Sequence, residues 1–368
     1  MDMYAVRTLR SQPLRLMLTI GGVALCIILM FFLVSVYRGV ADGSVDYIRE
    51  NNADLWVLQH NATNILRSSS LIQAAQGKKI RPISGVESVS PVLLILASIK
   101  KGDNERTVFL TGFDPEKGLG GPPRLKAGRS VLNDDEIVLD RAFAKKFKFK
   151  LGDTVGIQKH SLEVVGISTG TNAFVIQYAF VTLRFAQKII GFPGLATCCL
   201  VKIKKGHPIA EAAGNIRKEL PGMEVYDHET FLKNNIQEME SGFLPLLYTV
   251  AVIGAVVLTV VLSLLLSVNI LEKRKDFAVL KTLGSPKGFL GRLIIEQALL
   301  ISLAASAVAL VFFFPLVLVI EQISPEVSTK STVEQVITVI FVVMIMSLIS
   351  SFLSIRRLRR IYTLEAFR

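Results

Sequence analysis

Four long stretches without a charged residue decide what this chain can become. Residues 16–37, 241–271, 297–320 and 335–355 are each free of Asp, Glu, Lys and Arg. A membrane-spanning helix needs about 20 such residues, because the hydrocarbon core is roughly 30 Å thick and each residue rises about 1.5 Å. All four runs meet that length, and a mean hydropathy of +0.49 over 368 residues is too apolar for an ordinary soluble domain. The second run exceeds what a bilayer requires, so its first turns are expected to stand outside as a stalk. The first run is longer than the apolar region of a signal peptide and ends without a small-x-small cleavage site. It reads as a retained anchor.

Basic residues fix the expected orientation. Arg7, Arg10 and Arg15 precede the first run, and Lys273, Arg274, Lys275, Lys281, Lys287 and Arg292 lie between the second and third. Arg356, Arg357, Arg359, Arg360 and Arg368 follow the fourth, while the loop between the third and fourth holds one Lys against three Glu. Lys and Arg near span ends remain in the cytoplasm. Both termini and the basic loop are therefore placed inside, and the segment after the first span outside. Fourteen of the 42 basic residues sit at these ends, so the net charge of +12 serves topology and anionic lipid, with no expectation of nucleic acid.

The organisation expected is an interfacial helix at 1–15, a span at 16–37, an extracytoplasmic domain at 38–242, a span with stalk at 243–271 and a cytoplasmic loop at 272–292. Spans at 293–320 and 335–355 follow, separated by a short external loop at 321–334, with a basic tail at 356–368. The fold class is thus a membrane protein of four transmembrane α-helices, one and then three, with a large α+β domain inserted between the first two. Within that domain, strands are expected at 54–59, 89–100, 107–111 and 162–165, with a helix capped by Asp140 and a turn at Gly152-Asp153. A helix over 209–220 and a strand over 223–226 complete it.

Chemical motifs are sparse. Gly166-Ile167-Ser168-Thr169-Gly170 matches the nucleophile-elbow pattern G-x-S-x-G, but β-rich sequence follows it where a helix is required. Asp227 and His228 are contiguous, a poor arrangement for the rest of a triad. His60, His160, His207 and His228 are scattered, and Cys26, Cys198 and Cys199 imply neither a zinc site nor a disulfide framework. No G-x-x-x-x-G-K-[ST] occurs, so ATP chemistry would have to come from another polypeptide. Arg292 and Glu296 are spaced for an i,i+4 ion pair, with an intramembrane polar contact of Glu296 as the alternative.

The loop itself reads EKRKDFAVLKTLGSP. On a helical wheel Phe277, Val279, Leu280 and Leu283 share one arc, with Ala278, Lys281 and Thr282 outside it. Gly284 suits the C-cap, and Ser285-Pro286 ends the helix. A short amphipathic helix at the cytoplasmic surface is expected, either lying on lipid or docking a partner.

Residues 272–300, EKRKDFAVLKTLGSPKGFLGRLIIEQALL, resemble the signature of MacB/FtsX-type ABC transporter permeases. Glu272, Lys273, Arg274, Lys275, Asp276, Phe277, Lys281, Leu283, Gly284 and Glu296 fit that pattern. The resemblance extends to AVRTLRSQPLRLMLTIGGVAL, ADLWVL, EIVLDRAFAKKFKFKLGDTV, VVGI and RRLRRIYTLEAFR, which together cover nearly the whole chain. It implies one span, a large external domain and three more spans. It also implies that the loop, Glu272–Lys275, Asp276, Phe277, Val279, Leu280, Lys281, Leu283 and Gly284, is a coupling helix seated on an ABC ATPase subunit. The expected partners are two ATPase copies and a second permease copy or paralogue, with a periplasmic adaptor and outer-membrane duct in export systems of this kind. No cofactor is expected in this chain, ATP and Mg belonging to the partner. The implied work is export or extrusion from the outer leaflet or periplasm of a bacterial inner membrane. The alternative is mechanical regulation of an external enzyme without cargo.

Overall fold

The computed structural model describes residues 13–65, 70–101, 104–173, 176–242, 244–272, 288–325 and 332–358. They form two compact units. One comprises the apolar helices and the other the segment inserted after the first of them.

The helical unit is built from α1 (Pro13–Arg49, as far as Tyr37), α7 (Leu244–Glu272), α8 (Phe289–Ile323) and α9 (Val333–Leu358). Each of these helices is long and apolar enough to cross a membrane. Helices are the form such segments must take, since hydrocarbon offers no partner for an open backbone. Val23, Ile27, Leu258, Leu262, Phe313 and Val343 meet in one cluster with Ala298, Ala305 and Ala309 of α8. The alanines let neighbouring backbones approach, which is how spanning helices gain contact when lipid is as apolar as leucine. Serine hydroxyls of α9 tie it to α7: Ser350 Oγ donates to Thr259 O at 2.9 Å and Ser354 Oγ to Ser263 O at 3.2 Å.

The inserted unit contains, in chain order, β1 (Leu55–Gln59), β2 (Ile72–Gln73), α2 (Gln76–Ile80), β3 (Val86–Lys101), β4 (Asn104–Phe113), β5 (Arg124–Gly128), β6 (Glu136–Asp140), α3 (Arg141–Lys146), β7 (Thr154–Ile157) and β8 (His160–Thr169). There follow β9 (Asn172–Ala173), β10 (Ile176–Thr182), α4 (Leu183–Ile190), β11 (Leu195–Ala196), β12 (Cys198–Ile203), α5 (Ile209–Glu219), β13 (Met223–Asp227) and α6 (His228–Gly242).

The 16-residue β3 organises this unit. Its first half pairs β12, its second half pairs β4, and the sheet runs β13-β1-β12-β3-β4-β10-β6-β8-β5. Because β7 pairs both β3 and β8, the strands β3-β4-β10-β6-β8-β7 close a ring. Closure removes sheet edges, and the interior fills with Leu93, Val108, Leu110, Leu139, Val164 and Val181. Phe143 of α3 and Phe185 of α4 join that core. α4 lies close against β4 at Gly112, where a Cβ would come within 2.4 Å of the Ala186 Cβ. The β1–β12 half is covered on both faces. Leu55, Val57, Cys199 and Val201 pack with α2 and α5, and Trp56, Leu58, Cys198 and Leu200 face a second core. A strand buried on both sides needs continuous apolar sequence, hence the LWVL of β1.

Two features depart from the boundaries expected from sequence. α1 does not end at Tyr37 but runs to Arg49, and a 15-residue helix, α6, precedes the apolar run of α7. Neither extension is free of charge: α1 beyond Tyr37 carries Arg38, Asp42, Asp46 and Arg49, and α6 carries Glu229, Lys233, Glu238 and Glu240. Both are helical because they bury one stripe in the inserted unit, as described next.

Candidate functional site

Val40, Ser44, Tyr47 and Ile48 occupy one face of the outer part of α1, at the i, i+4, i+7, i+8 spacing of a helix stripe, and all four are buried. The Tyr47 hydroxyl donates to Gly120 O at 2.8 Å, and its ring stacks on Tyr178 with centroids 4.9 Å apart. Gly43 lies where a Cβ would sit 2.9 Å from Asn172 O, so only glycine fits. Glu50, just past the helix, pairs with Arg124 of β5.

α6 enters the same core from the other end of the insertion. Asp227 caps it, its carboxylate accepting from Thr230 N at 2.9 Å and Thr230 Oγ1 at 2.7 Å. Phe231 stacks on Trp56 at 4.6 Å. The fully buried Asn235 accepts from Ile65 N at 3.1 Å and donates to Phe231 O at 2.8 Å. Tyr47, Ile48, Trp56 and Phe231 thus belong to one hydrophobic cluster. The segment leaving the first apolar run and the segment leading to the second are both seated in it. Sequence reading missed these anchors. The stripe 40-44-47-48 was a readable signal, whereas Phe231 stood alone in a polar helix.

The basic loop joins α7 to α8. Glu272 is the last residue of α7 and is exposed. Lys273, Arg274, Lys275, Asp276, Phe277, Val279, Leu280, Lys281, Leu283 and Gly284 lie outside the described residues. The chain returns at Gly288, whose φ of +102° suits glycine, and Arg292 N donates to Gly288 O at 2.9 Å. Arg292 Nε then reaches Glu296 Oε1 at 3.1 Å, forming the ion pair that the spacing predicted. The Arg292 side chain is 70% exposed and that of Glu296 15%, so the arginine reaches outward while the glutamate lies against the helices.

The remaining motifs resolve into structural parts. β8 runs straight through Ser168 to Thr169, with β9 and β10 following, so no nucleophile elbow forms. The Ser168 hydroxyl is buried and 2.8 Å from Thr171 Oγ1, which donates to Asp140 Oδ2 at 2.7 Å. Asp140 caps α3 as expected, accepting from Ala142 N at 2.7 Å and Phe143 N at 3.4 Å. Burial pushes its pKa up against the pull of these donors. Glu136 accepts both arms of Arg129, at 2.5 and 2.7 Å, and Leu132 N at 2.8 Å; the guanidinium first, then these amides, hold its carboxyl at about 2.

Each histidine has a local partner. His60 meets Glu224 at 3.1 Å, His228 Nδ1 lies 3.1 Å from Ala53 O, His207 is 4.0 Å from Glu211, and His160 packs edge-on to Phe185. Cys198 and Cys199 are free thiols; burial pushes Cys199 up to about 12, far from reactivity. Among the described residues no group of three His, Cys, Asp or Glu is placed to hold a metal ion.

Comparison with known proteins accounts for both units. The model of the MacB-like periplasmic core domain matches residues 16–219, and that of the FtsX-like permease C-terminal region matches residues 248–363. An uncharacterized ABC transporter permease of Mycobacterium tuberculosis is 26% identical over 315 residues, covering 83% of this chain and 83% of its own. One from Methanocaldococcus jannaschii is 22% identical over 351 residues, covering 87% and 84%. The crystal structure of the periplasmic region of MacB from Actinobacillus actinomycetemcomitans superposes with a TM-score of 0.41 at 18% identity, over 52% of this chain and 95% of that one. Four apolar helices, an α+β insertion after the first and these two family matches agree: the chain belongs to the MacB/FtsX-type ABC transporter permeases and is a multi-pass membrane protein.

Proposed function

We propose that this permease converts ATP hydrolysis by a separate ABC ATPase into motion of its extracytoplasmic domain, and that the motion expels a substrate from the outer leaflet or periplasm. The reading rests on one observation. Tyr47, on the continuation of the first spanning helix, and Phe231, on the helix leading to the second, are buried in one core. A displacement of either helix cannot leave that core unchanged, because packed interiors do not deform continuously.

In this reading both termini and the loop after α7 face the cytoplasm, as their Lys and Arg require. Residues 272–284 then form the coupling helix. Phe277, Val279, Leu280 and Leu283 dock on the ATPase while Arg274 and Lys281 meet its rim. Two ATPase copies serve a permease dimer, ATP and Mg residing in the ATPase. Arg292 and Glu296 brace the entry of α8 beside the loop. The roughly 205 residues between the first two runs favour movement of cargo over regulation of an external enzyme.

The test is to reconstitute the permease with its ATPase and place a dye on a cysteine at Lys126, which is exposed on β5. ATP should shift the dye signal, and a Tyr47→Ala, Phe231→Ala variant should hydrolyse ATP without the shift. Hydrolysis in the wild-type complex with no response at position 126 would overturn the mechanical reading.

A further inference from the structure

The end of the strand ring carries a feature that coupling does not use. Phe143 of α3 and the two phenylalanines after it, Phe147 and Phe149, form a ring cluster, with Phe143 4.8 Å from Phe147 and 5.9 Å from Phe149. They line a cavity of about 220 Å³ together with Ile99, Lys101, Arg106, Lys146 and Lys148.

The cations are held by the rings. Lys101 Nζ sits 4.1 Å from the Phe149 centroid, the Arg106 guanidinium 5.6 Å from Phe147 and Lys146 Nζ 5.8 Å from Phe147. Ring faces engaged in this way orient the charges and leave little aromatic surface for a ligand to stack on. What the cavity offers is positive charge. Lys101 donates to Lys148 O at 2.7 Å and to Asp153 Oδ2 at 3.0 Å, which uses two of its three donors. Arg106 donates through one arm to Glu105 O at 2.9 Å and keeps the rest of its fork. Asp153 pairs with Lys101, nearby Glu105 pairs with Lys100 at 3.3 Å, and among the described residues no carboxylate is within ion-pair distance of Arg106 or Lys148.

From this geometry we infer that the cavity is an anion site for a phosphate group, bound by Lys101, Arg106 and Lys148. A dianion matches the two charges of Arg106 and Lys148 better than a carboxylate does. The planar fork of Arg106 together with two ammonium groups is the donor set that phosphate oxygens take. The group can belong to a phospholipid headgroup or to a free phosphate, since both present the same oxygens. The site stands whatever cargo the transporter moves.

The experiment uses the full chain in phosphatidylcholine nanodiscs, titrated by calorimetry at low salt with dihexanoyl phosphatidic acid and, separately, with inorganic phosphate. Saturable binding is expected to weaken at least about tenfold in the Arg106→Gln, Lys148→Gln variant, the scale of one lost charge-assisted contact. It should weaken less in Arg106→Lys, which keeps the charge but loses the fork, and be unchanged in a Lys205→Gln, Lys218→Gln control. Both variant residues are exposed, so the fold is retained, and thermal unfolding checks this. Binding of both probes identifies phosphate itself as the ligand; binding of phosphatidic acid alone identifies a lipid headgroup. Absence of saturable binding to either probe, or equal binding by the double glutamine variant, would overturn the inference.

Discussion

Trp56 of β1 and Phe231 of α6 stack with ring centroids 4.6 Å apart and planes inclined by 22°. Both are fully buried, and Trp56 is the chain's single tryptophan. Its emission therefore reports on the point where the helix leading to the second span is fixed into the inserted domain. Phe231→Ala should open a cavity there and destabilise the domain by about 3–5 kcal/mol, the usual range for deleting a buried phenyl ring. A red-shifted Trp56 emission and a lower denaturant midpoint are expected. An unchanged midpoint would mean that the stack carries no weight.

Acid should act on the domain through Glu136. Its carboxyl is held at about 2 by the Arg129 guanidinium and neighbouring amides. A depressed carboxylate contributes stability that is fully present above its unfolded value, near 4.3, and is lost as pH falls toward 2. The upper limit is about 3 kcal/mol, reduced because Arg129 is half exposed to screening solvent. Glu136→Gln should therefore lower stability at pH 6 and narrow its gap to wild type at pH 3, measured by Trp56 emission in denaturant. A constant gap across that range would assign the loss to packing rather than charge.

Topology is tested by labelling. Lys126 lies exposed on β5 of the inserted domain, while Thr282 belongs to the basic loop. A cysteine at Lys126 should react with an impermeant thiol reagent added outside intact cells, and one at Thr282 should react only after permeabilisation. The native thiols Cys198 and Cys199 are buried and should stay silent. Reversed labelling would invert the orientation set by the Lys and Arg distribution.

How far the sequence could be read follows from which constraints are local. A spanning helix must satisfy its own backbone over a fixed length, so four apolar runs translate directly into four helices. Asp140 sits one residue before α3 and caps it, and Gly152 turns into β7 at φ +83°. Such features need only near neighbours. The ring of strands was not legible, because β7 closes it by pairing with β3, more than fifty residues earlier at Ile99↔Ile157. α6 escaped for a related reason: its helix is polar along most of its length, and its two fully buried side chains are Phe231 and Asn235. The cavity cations were visible as a basic, phenylalanine-rich stretch near residue 147. Arg106 and Lys101 reach it only through the β3–β4 pairing.

The last prediction concerns the loop between α7 and α8. Phe277 and Leu280 lie about 60° apart on a helical wheel at 100° per residue, and Phe277 is the bulkiest apolar side chain of its arc. Burying each in an ATPase cleft should contribute roughly 1.5–3 kcal/mol, the usual value for a large apolar side chain. Arg274 and Lys281 would meet acidic groups at the rim, where exposed pairs contribute about 1 kcal/mol or less. Phe277→Ala with Leu280→Ala should therefore release the ATPase and uncouple hydrolysis while the permease still inserts, and Lys281→Ala should change little. A loop that merely lies on lipid would respond oppositely, tolerating the two alanines and suffering from the loss of several charges together. Co-purification of the ATPase with the double-alanine permease at wild-type yield, with the Lys126 dye still responding to ATP, would rule out the coupling role of Phe277 and Leu280.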